Sequence, residues 1–436
     1  MKNFYWIFYF FCNLVGLIFL NENGNSHSFF YQLGFVATLC FSMASLPFLY
    51  AQKPSPKILI TLSVFFLGLR LWAIHSDSFH EDDYYRYLVE ARLIDKSLNP
   101  YLISPWRLKN LILTDNFNEV RHKRLELYNY ILKTGFGWMT AIYPPLVIQA
   151  FRLAENPAQL GYLFLFSELL VLLVLTYSCK ILRPALFAWW LHPLPIIEVY
   201  LNKHYDIWIG LAIFVAIGAM INKKYKLSAV GLAMAVHLKG FALVFVPFMK
   251  RNVTFGFFVI YTILEGISAY SYPNRFASEN SLVNFASTWE FNNGLYTWFR
   301  IFMQSFDWIS QPDLLARLIF LSFLLTGILW IFLKPIKQSP FIRVSLLFFL
   351  FSPVNNPWYL LMSLPLYLVF SRDRREFHFF SLCSIYYYLW IAPDPILALP
   401  LTTPLQLLIL LYLLLYLPFS KNYGQHCYYF KINRED

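Results

Sequence analysis

The chain carries little charge: 14% of its 436 residues are Asp, Glu, Lys or Arg, against 58% hydrophobic and 20% aromatic. Soluble domains carry roughly a quarter of their residues as charged groups, so an ordinary water-soluble fold is excluded. Cysteine is scarce as well. Cys12, Cys40, Cys179, Cys383 and Cys427 lie far apart without metal-ligand spacing, which argues against a disulfide framework or a cysteine-based metal site. No internal repeat is present. The first apolar run is followed by Asn-Glu-Asn-Gly (21–24) instead of a small-residue cleavage site, so it reads as an uncleaved helix, not a signal peptide. Acidic residues are outnumbered, 24 against 35 Lys and Arg, for a net charge of +11. No basic and aromatic groove pattern accompanies that excess, so it points to topology and anionic lipid, not to nucleic acid.

What is abundant is apolar sequence long enough to cross a hydrocarbon core of about 30 Å. Such runs lie at 4–20, 29–50, 57–75, 159–179, 184–200, 206–221, 253–271, 313–333 and 399–419, with shorter ones at 227–249, 340–353, 357–370 and 376–393. Backbone amides in lipid must pair within the segment, and these runs are too long for barrel strands. The expected fold is therefore all-α: a polytopic transmembrane bundle of about 12–14 membrane helices, some short or broken. Residues 1–436 read as one membrane domain. Within it are an N-terminal hairpin at 1–50, a long polar loop with surface helices at 76–137, and C-terminal helices with a tail at 371–436.

Short cytoplasmic loops carry the excess of Lys and Arg. With the N-terminus inside, Lys53 and Lys57, Lys180 and Arg183, Lys223, Lys224 and Lys226, Lys250 and Arg251, Lys334 and Lys337, and Arg372, Arg374 and Arg375 share one side. That arrangement requires 138–152 to lie along the outer surface and 227–249 to form a broken hairpin turning near Lys239. The opposite connectors 21–28, 354–356 and 393–398 contain no Lys or Arg. Both termini are thus expected in the cytoplasm, and short loops and small size favour a bacterial inner membrane.

The stretch "HEDDYYRYLVEARLIDKSLNPY", His80–Tyr101, heads the polar loop on the outer side. Asp83, Arg86, Tyr87 and Glu90 follow i, i+3, i+4, i+7, which puts them in one stripe of a helix. Leu88, Val89 and Leu93 would dip toward the bilayer, and Asn99-Pro100 would end the helix. "EVYLNKHYD", with Glu198, His204 and Asp206, and "TWEFNNG", with Trp289, Glu290 and Asn292, fall on the same side, as does Lys239 of "VHLKGF". Ionisable groups beside lipid are costly, so a convergent set is a functional signal.

These residues resemble the signature of the C-superfamily glycosyltransferases, integral-membrane enzymes that use polyprenyl-phosphate sugars. The family form is Asp-Asp-x-x-Arg-Tyr-x-x-Asp-Gly followed by Asn-Pro-Tyr. Asp82, Asp83, Arg86, Tyr87, Asn99, Pro100 and Tyr101 match it, while Glu90 and Ala91 stand where Asp-Gly is usual. "YPPLVIQ" (143–149), "HPLPIIEVYLNKHYD" (192–206), "HLKGFALVFVPF" (237–248), "TWEFNNG" (288–294) and "SPVNNPWYLLMSLPLY" (352–367) resemble further pieces in order. His192 occupies a position where Asn is common in the family. The resemblance covers roughly residues 60–370, is closest to the mannosyltransferase-like branch, and leaves out the first hairpin and last two helices.

It implies transfer of a mannose-like hexose from a polyprenyl-phosphate donor to a hydroxyl of a glycan, lipid or protein acceptor. The phosphate leaving group needs cations rather than a general acid, for which Lys239 and Arg86 are candidates. The acceptor must lose a proton, with Asp83 as the expected base and Asp82 second. Tyr87, Glu90, Glu198, His204, Asp206, Trp289, Glu290 and Asn292 are the expected substrate-binding groups. Simpler roles remain open: Lys239 could snorkel to headgroups, and Trp289 could anchor the interface. No cofactor is expected and metal is not favoured, because His204-x-Asp206 lacks a third ligand of clear spacing. A lipid-linked sugar flippase or polysaccharide transporter is the competing class. A third is a ligase using a diphosphate-linked donor.

The loop charges generate a labelling prediction. Single cysteines placed in 76–137 and 272–294 should react with an impermeant maleimide in intact cells, whereas Lys224→Cys should react only after lysis. Labelling of position 224 from outside would overturn the orientation.

Overall fold

The computed structural model describes residues 55–78, 82–113, 121–276, 281–291, 294–333, 339–370, 406–408 and 411. The expected hairpin at 1–50 lies outside the described residues, as does nearly all of 371–436. In chain order the helices are α1 (Pro56–His75), α2 (Asp83–Asp95), α3 (Pro105–Leu113), α4 (Arg121–Lys133), α5 (Pro145–Phe151), α6 (Pro157–Ser178), α7 (Arg183–Leu191) and α8 (Ile207–Ile221). There follow α9 (Tyr225–Leu238), α10 (Arg251–Ser271), α11 (Ser281–Thr288), α12 (Gly294–Gln304), α13 (Pro312–Leu333), α14 (Pro340–Phe351) and α15 (Leu360–Phe370).

The molecule is an all-α integral membrane protein. Helices α1, α6, α10 and α13 are long and apolar enough to cross a bilayer, while α8, α9, α14 and the segment Pro357–Phe370 are shorter apolar helices. Local chemistry starts the spans: Ser55 accepts the Ile58 N–H at the head of α1, Asn156 accepts the Gln159 N–H at the head of α6, and each is followed by proline. In lipid, helices gain from close backbone approach and hydrogen bonds across the contact. Helices α8 and α9 pack this way. A Cβ on Gly231 would sit 2.7 Å from the Ala216 nitrogen, and the Ser228 hydroxyl donates to the Ala216 carbonyl at 2.7 Å.

The apolar run 184–200, expected as one span, is broken. Pro193 and Pro195 have no N–H to donate, so the ladder of α7 stops at Leu191 and the chain re-enters as a π-helical segment, Ile196–Leu201. His192 caps the break, its Nδ1 accepting the Leu194 N–H at 3.2 Å. The hairpin 227–249 breaks as expected, with α9 ending at Leu238 and a 3-10 segment, Gly240–Phe248, following Lys239.

An ion pair deep in the bundle joins these pieces. Arg70 of α1 donates through Nε and Nη2 to both oxygens of Glu168 on α6, at 2.8 and 3.0 Å, with both side chains fully buried. Trp189 of α7 donates to the same carboxylate at 2.7 Å, as does the Tyr200 hydroxyl of the π-helical segment, and the Arg70 guanidinium lies 3.8 Å from the Trp190 ring centroid. Both runs read from sequence as plain apolar spans. Breaking the pair leaves an uncompensated charge among apolar groups.

Helix α2 departs from the surface-helix expectation. Val89 and Leu93 do not face lipid but pack on Leu108 and Ile112 of α3 and Leu127 and Ile131 of α4, while Leu88 joins the main core. The polar loop supplies its own apolar cover, so α2 is buried on both sides. It ends at Asp95, before Asn99-Pro100, with Ser97 at a φ of 57°.

Glu168→Ala should lower bundle stability by about 3–5 kcal/mol, the usual penalty for stranding a buried charge. Arg70→Met combined with Glu168→Leu should recover most of that loss in thermal unfolding in detergent. Equal stability of the single variant and the parent would show that the pair is not a fastener.

Candidate functional site

The candidate site forms where the head of α2, the turn after α9 and the segment leading into α8 meet. Asp83 opens α2 and is half-buried. Burial, reinforced by the neighbouring Asp82 carboxylate and opposed by Arg86 and Lys239, pushes its acid up to about 6. Among the described residues no group hydrogen-bonds the Asp83 carboxylate. Asp82 differs. The Gly135 backbone N–H bonds its carboxylate, and burial raises its acid against that bond and the Arg86 charge. Two adjacent carboxylates therefore have distinct settings, one held and one free.

Lys239 follows α9 in an extended conformation, and its Nζ donates to Asp206 Oδ1 at 2.6 Å. The ammonium lies 3.9 Å from the Tyr359 ring centroid and 5.7 Å from that of Tyr205. It is therefore half-buried, held among polar and aromatic groups instead of snorkelling. An ammonium has three donors, and the second Asp206 oxygen has no hydrogen-bond partner among the described residues. The fields of Lys239 and Asp206 both act on Asp83. The structure thus brings together Asp82, Asp83, Asp206 and Lys239, which lie up to 157 residues apart in sequence.

Arg86 does not face that cluster as a free cation. Its Nε donates to Glu90 at 2.7 Å, Nη1 to the carbonyls of Gly135 and Phe136, and Nη2 to those of Met139 and Thr140 at 2.6 and 2.7 Å. A guanidinium has five N–H donors, and all five are taken. Arg86 is a clamp on the 135–140 loop, and the expectation that it binds donor phosphate is dropped. Glu90 completes the clamp. Burial pushes its acid up to about 7 against the pull of Arg86, and one of its oxygens has no hydrogen-bond partner among the described residues. Tyr87, on the same stripe, is a packing residue, stacked on Phe151 at 4.5 Å and edge-on to Tyr143 and Tyr205.

Glu198 and His204 lie in the segment that leads into α8 and carries Asp206. Both are buried; His204 Nε2 is 3.6 Å from Glu198, and the imidazole stacks on Trp358 at 3.8 Å. Trp358 belongs to the "SPVNNPWY" segment, which pairs with "TWEFNNG" through Phe291 N to Pro353 O at 3.2 Å and Asn355 N to Phe291 O at 2.9 Å. Trp289 is half-buried between Phe285, stacked at 5.3 Å, and Phe136, edge-on at 4.8 Å. Glu290 is paired with Arg300 at 2.8 Å. Asn292 lies outside the described residues. No group of three or more metal-ligating side chains comes together among the described residues.

Gly135 is a fixed point of this geometry, because a Cβ there would lie 2.8 Å from Asp82 Oδ2. Gly135→Ala must turn the exposed Asp82 carboxylate away from the Gly135 amide, and should destabilise by about 0.5–1.5 kcal/mol. Gly68→Ala, where a Cβ would meet nothing within 4 Å, is the control and should be neutral or slightly stabilising. Indistinguishable melting temperatures for the two variants would contradict the tight contact at Asp82.

Comparison with family models, curated proteins and solved structures finds no match to this chain.

Proposed function

We propose that the chain is a membrane glycosyltransferase of the C-superfamily type, moving a hexose from a polyprenyl-phosphate donor to an acceptor hydroxyl. The observation that carries this reading is the free Asp83 carboxylate, raised toward neutrality beside a half-buried lysine that Asp206 holds. In the reaction the acceptor oxygen bonds to the anomeric carbon as the bond from that carbon to the phosphate oxygen breaks. Asp83 takes the acceptor proton, and polyprenyl phosphate leaves with the bonding pair. Lys239 meets the developing charge on the phosphate with the donors that Asp206 does not use. The Asp82 carboxylate raises the proton affinity of Asp83, which strengthens the base. Glu198, His204 and Asp206 shape the floor under the sugar.

The resemblance supports the donor class, and the loop charges support a site facing the periplasm with both termini in the cytoplasm. Transport is less favoured because the polar groups gather at helix ends, whereas transporters place substrate sites near mid-membrane on repeated elements. A pure transporter would move lipid-linked sugar across vesicles without cleaving it.

Asp83→Asn should fold normally and bind donor, while single-turnover transfer from a short-chain polyprenyl-phosphate mannose falls by about 10²- to 10⁴-fold. Asp82→Asn should cost less. A base must be ionised, so wild-type activity should rise with pH through about 6 and be lost below it. Lys239→Ala should raise the donor KM with little effect on acceptor, and Lys239→Arg should keep part of the affinity. Near-normal transfer by folded Asp83→Asn would sink the assignment of the base.

A further inference from the structure

The loop held by Arg86 contains a conformation that packing alone does not call for. Phe136 has a φ of 51°, in the left-handed region that bulky aromatic residues rarely occupy. It is flanked by Gly135 and Gly137. A Cβ on Gly137 would lie 2.3 Å from the Trp106 indole nitrogen, just as one on Gly135 would meet Asp82. The chain is thus pressed against two side chains and tied to Arg86 through the carbonyls of Gly135, Phe136 and Met139. The strained side chain is not buried: half of Phe136 is exposed, which is unusual for a ring held so firmly. Strain kept by its surroundings at an exposed aromatic beside paired carboxylates is the pattern of a ligand contact.

The same geometry bears on Trp289, one of the substrate-binding groups expected from sequence. Trp289 is half-buried with Phe285 stacked on it and Phe136 edge-on. It is a wall that braces Phe136. We propose that Phe136 is the platform on which a pyranose ring stacks at this site, aimed by the Arg86 clamp and braced by Trp289. The negative face of an aromatic ring suits the weakly positive C–H face of a pyranose. Arg86 is then a positioning residue, acting through the loop and not on phosphate. Naming the ring as that of the donor or the acceptor hexose rests on the glycosyltransferase reading; the stacking itself does not.

The test uses the full chain in lipid nanodiscs with three probes: methyl α-mannopyranoside, farnesyl phosphate and farnesyl-phosphate mannose. Binding is read by saturation-transfer NMR and displacement. Phe136→Leu should weaken methyl α-mannopyranoside binding by about 10-fold, the scale of one aromatic contact, while Phe136→Tyr keeps it. Farnesyl phosphate, which has no sugar, should bind all variants alike. Phe136→Asn, whose side chain tolerates positive φ, should lose sugar binding equally yet melt at or above the wild-type temperature. If farnesyl-phosphate mannose displaces the mannoside, the ring belongs to the donor; if both bind together, to the acceptor. Unchanged mannoside binding by Phe136→Leu overturns the proposal, as does a fall in farnesyl phosphate affinity instead, which would make the ring an isoprenoid contact. Ring binding lost in Phe136→Leu alongside an inactive wild type would leave the platform standing and remove the transferase reading. Normal ring binding with inactive Asp83→Asn would do the reverse.

Discussion

The Arg70–Glu168 pair is the constraint on which the architecture depends. Charges this deep in an apolar bundle are tolerable only with every strong donor and acceptor met. The carboxylate here takes Arg70, Trp189 and Tyr200 together. Those residues belong to α1, α6, α7 and the π-helical segment, so one set of bonds fixes the mutual position of four pieces of backbone. The π-helical segment leads directly into His204 and Asp206. The fastener in the spans thus places this side of the candidate site.

A second set of charges acts the same way at the helix ends. Arg86 spends its whole guanidinium on Glu90 and a loop, and that loop presses on Asp82. Lys239 is held by Asp206 with donors to spare. Between them Asp83 keeps an unbonded carboxylate in a partly dehydrated setting. Two carboxylates, Asp82 and Asp206, and two cations, Arg86 and Lys239, act on it, and with Arg86 spent on its loop the phosphate affinity is confined to the Lys239 side. The chemistry proposed here needs that division: cation at the leaving group, free base at the acceptor.

Much of this was legible in the sequence. Apolar length located the spans at Pro56–His75, Pro157–Ser178, Arg251–Ser271 and Pro312–Leu333, and the position of Lys239 inside an apolar run located the break after α9. The spacing of Asp83, Arg86, Tyr87 and Glu90 located α2 and its stripe. The failures share a cause: partners distant in sequence. Arg70 and Glu168 are 98 residues apart, and the apolar length of each run gave no sign of the partner that its one buried charge must find. Arg86 looked like a phosphate ligand because its five acceptors are mostly backbone carbonyls, which no side-chain motif encodes. Val89 and Leu93 looked lipid-facing because their cover comes from α3 and α4, helices whose apolar faces are short. Phe136 gave no signal beyond its flanking glycines.

The most direct measurement of the central claim is an electron cryomicroscopy map of the protein in nanodiscs with a non-cleavable polyprenyl-phosphonate mannose. The phosphonate should lie against Lys239 and the anomeric carbon should face Asp83, with Arg86 still on its loop. A sugar bound on the far side of Tyr205, or a phosphonate held by Arg86 with Lys239 remote, would contradict it.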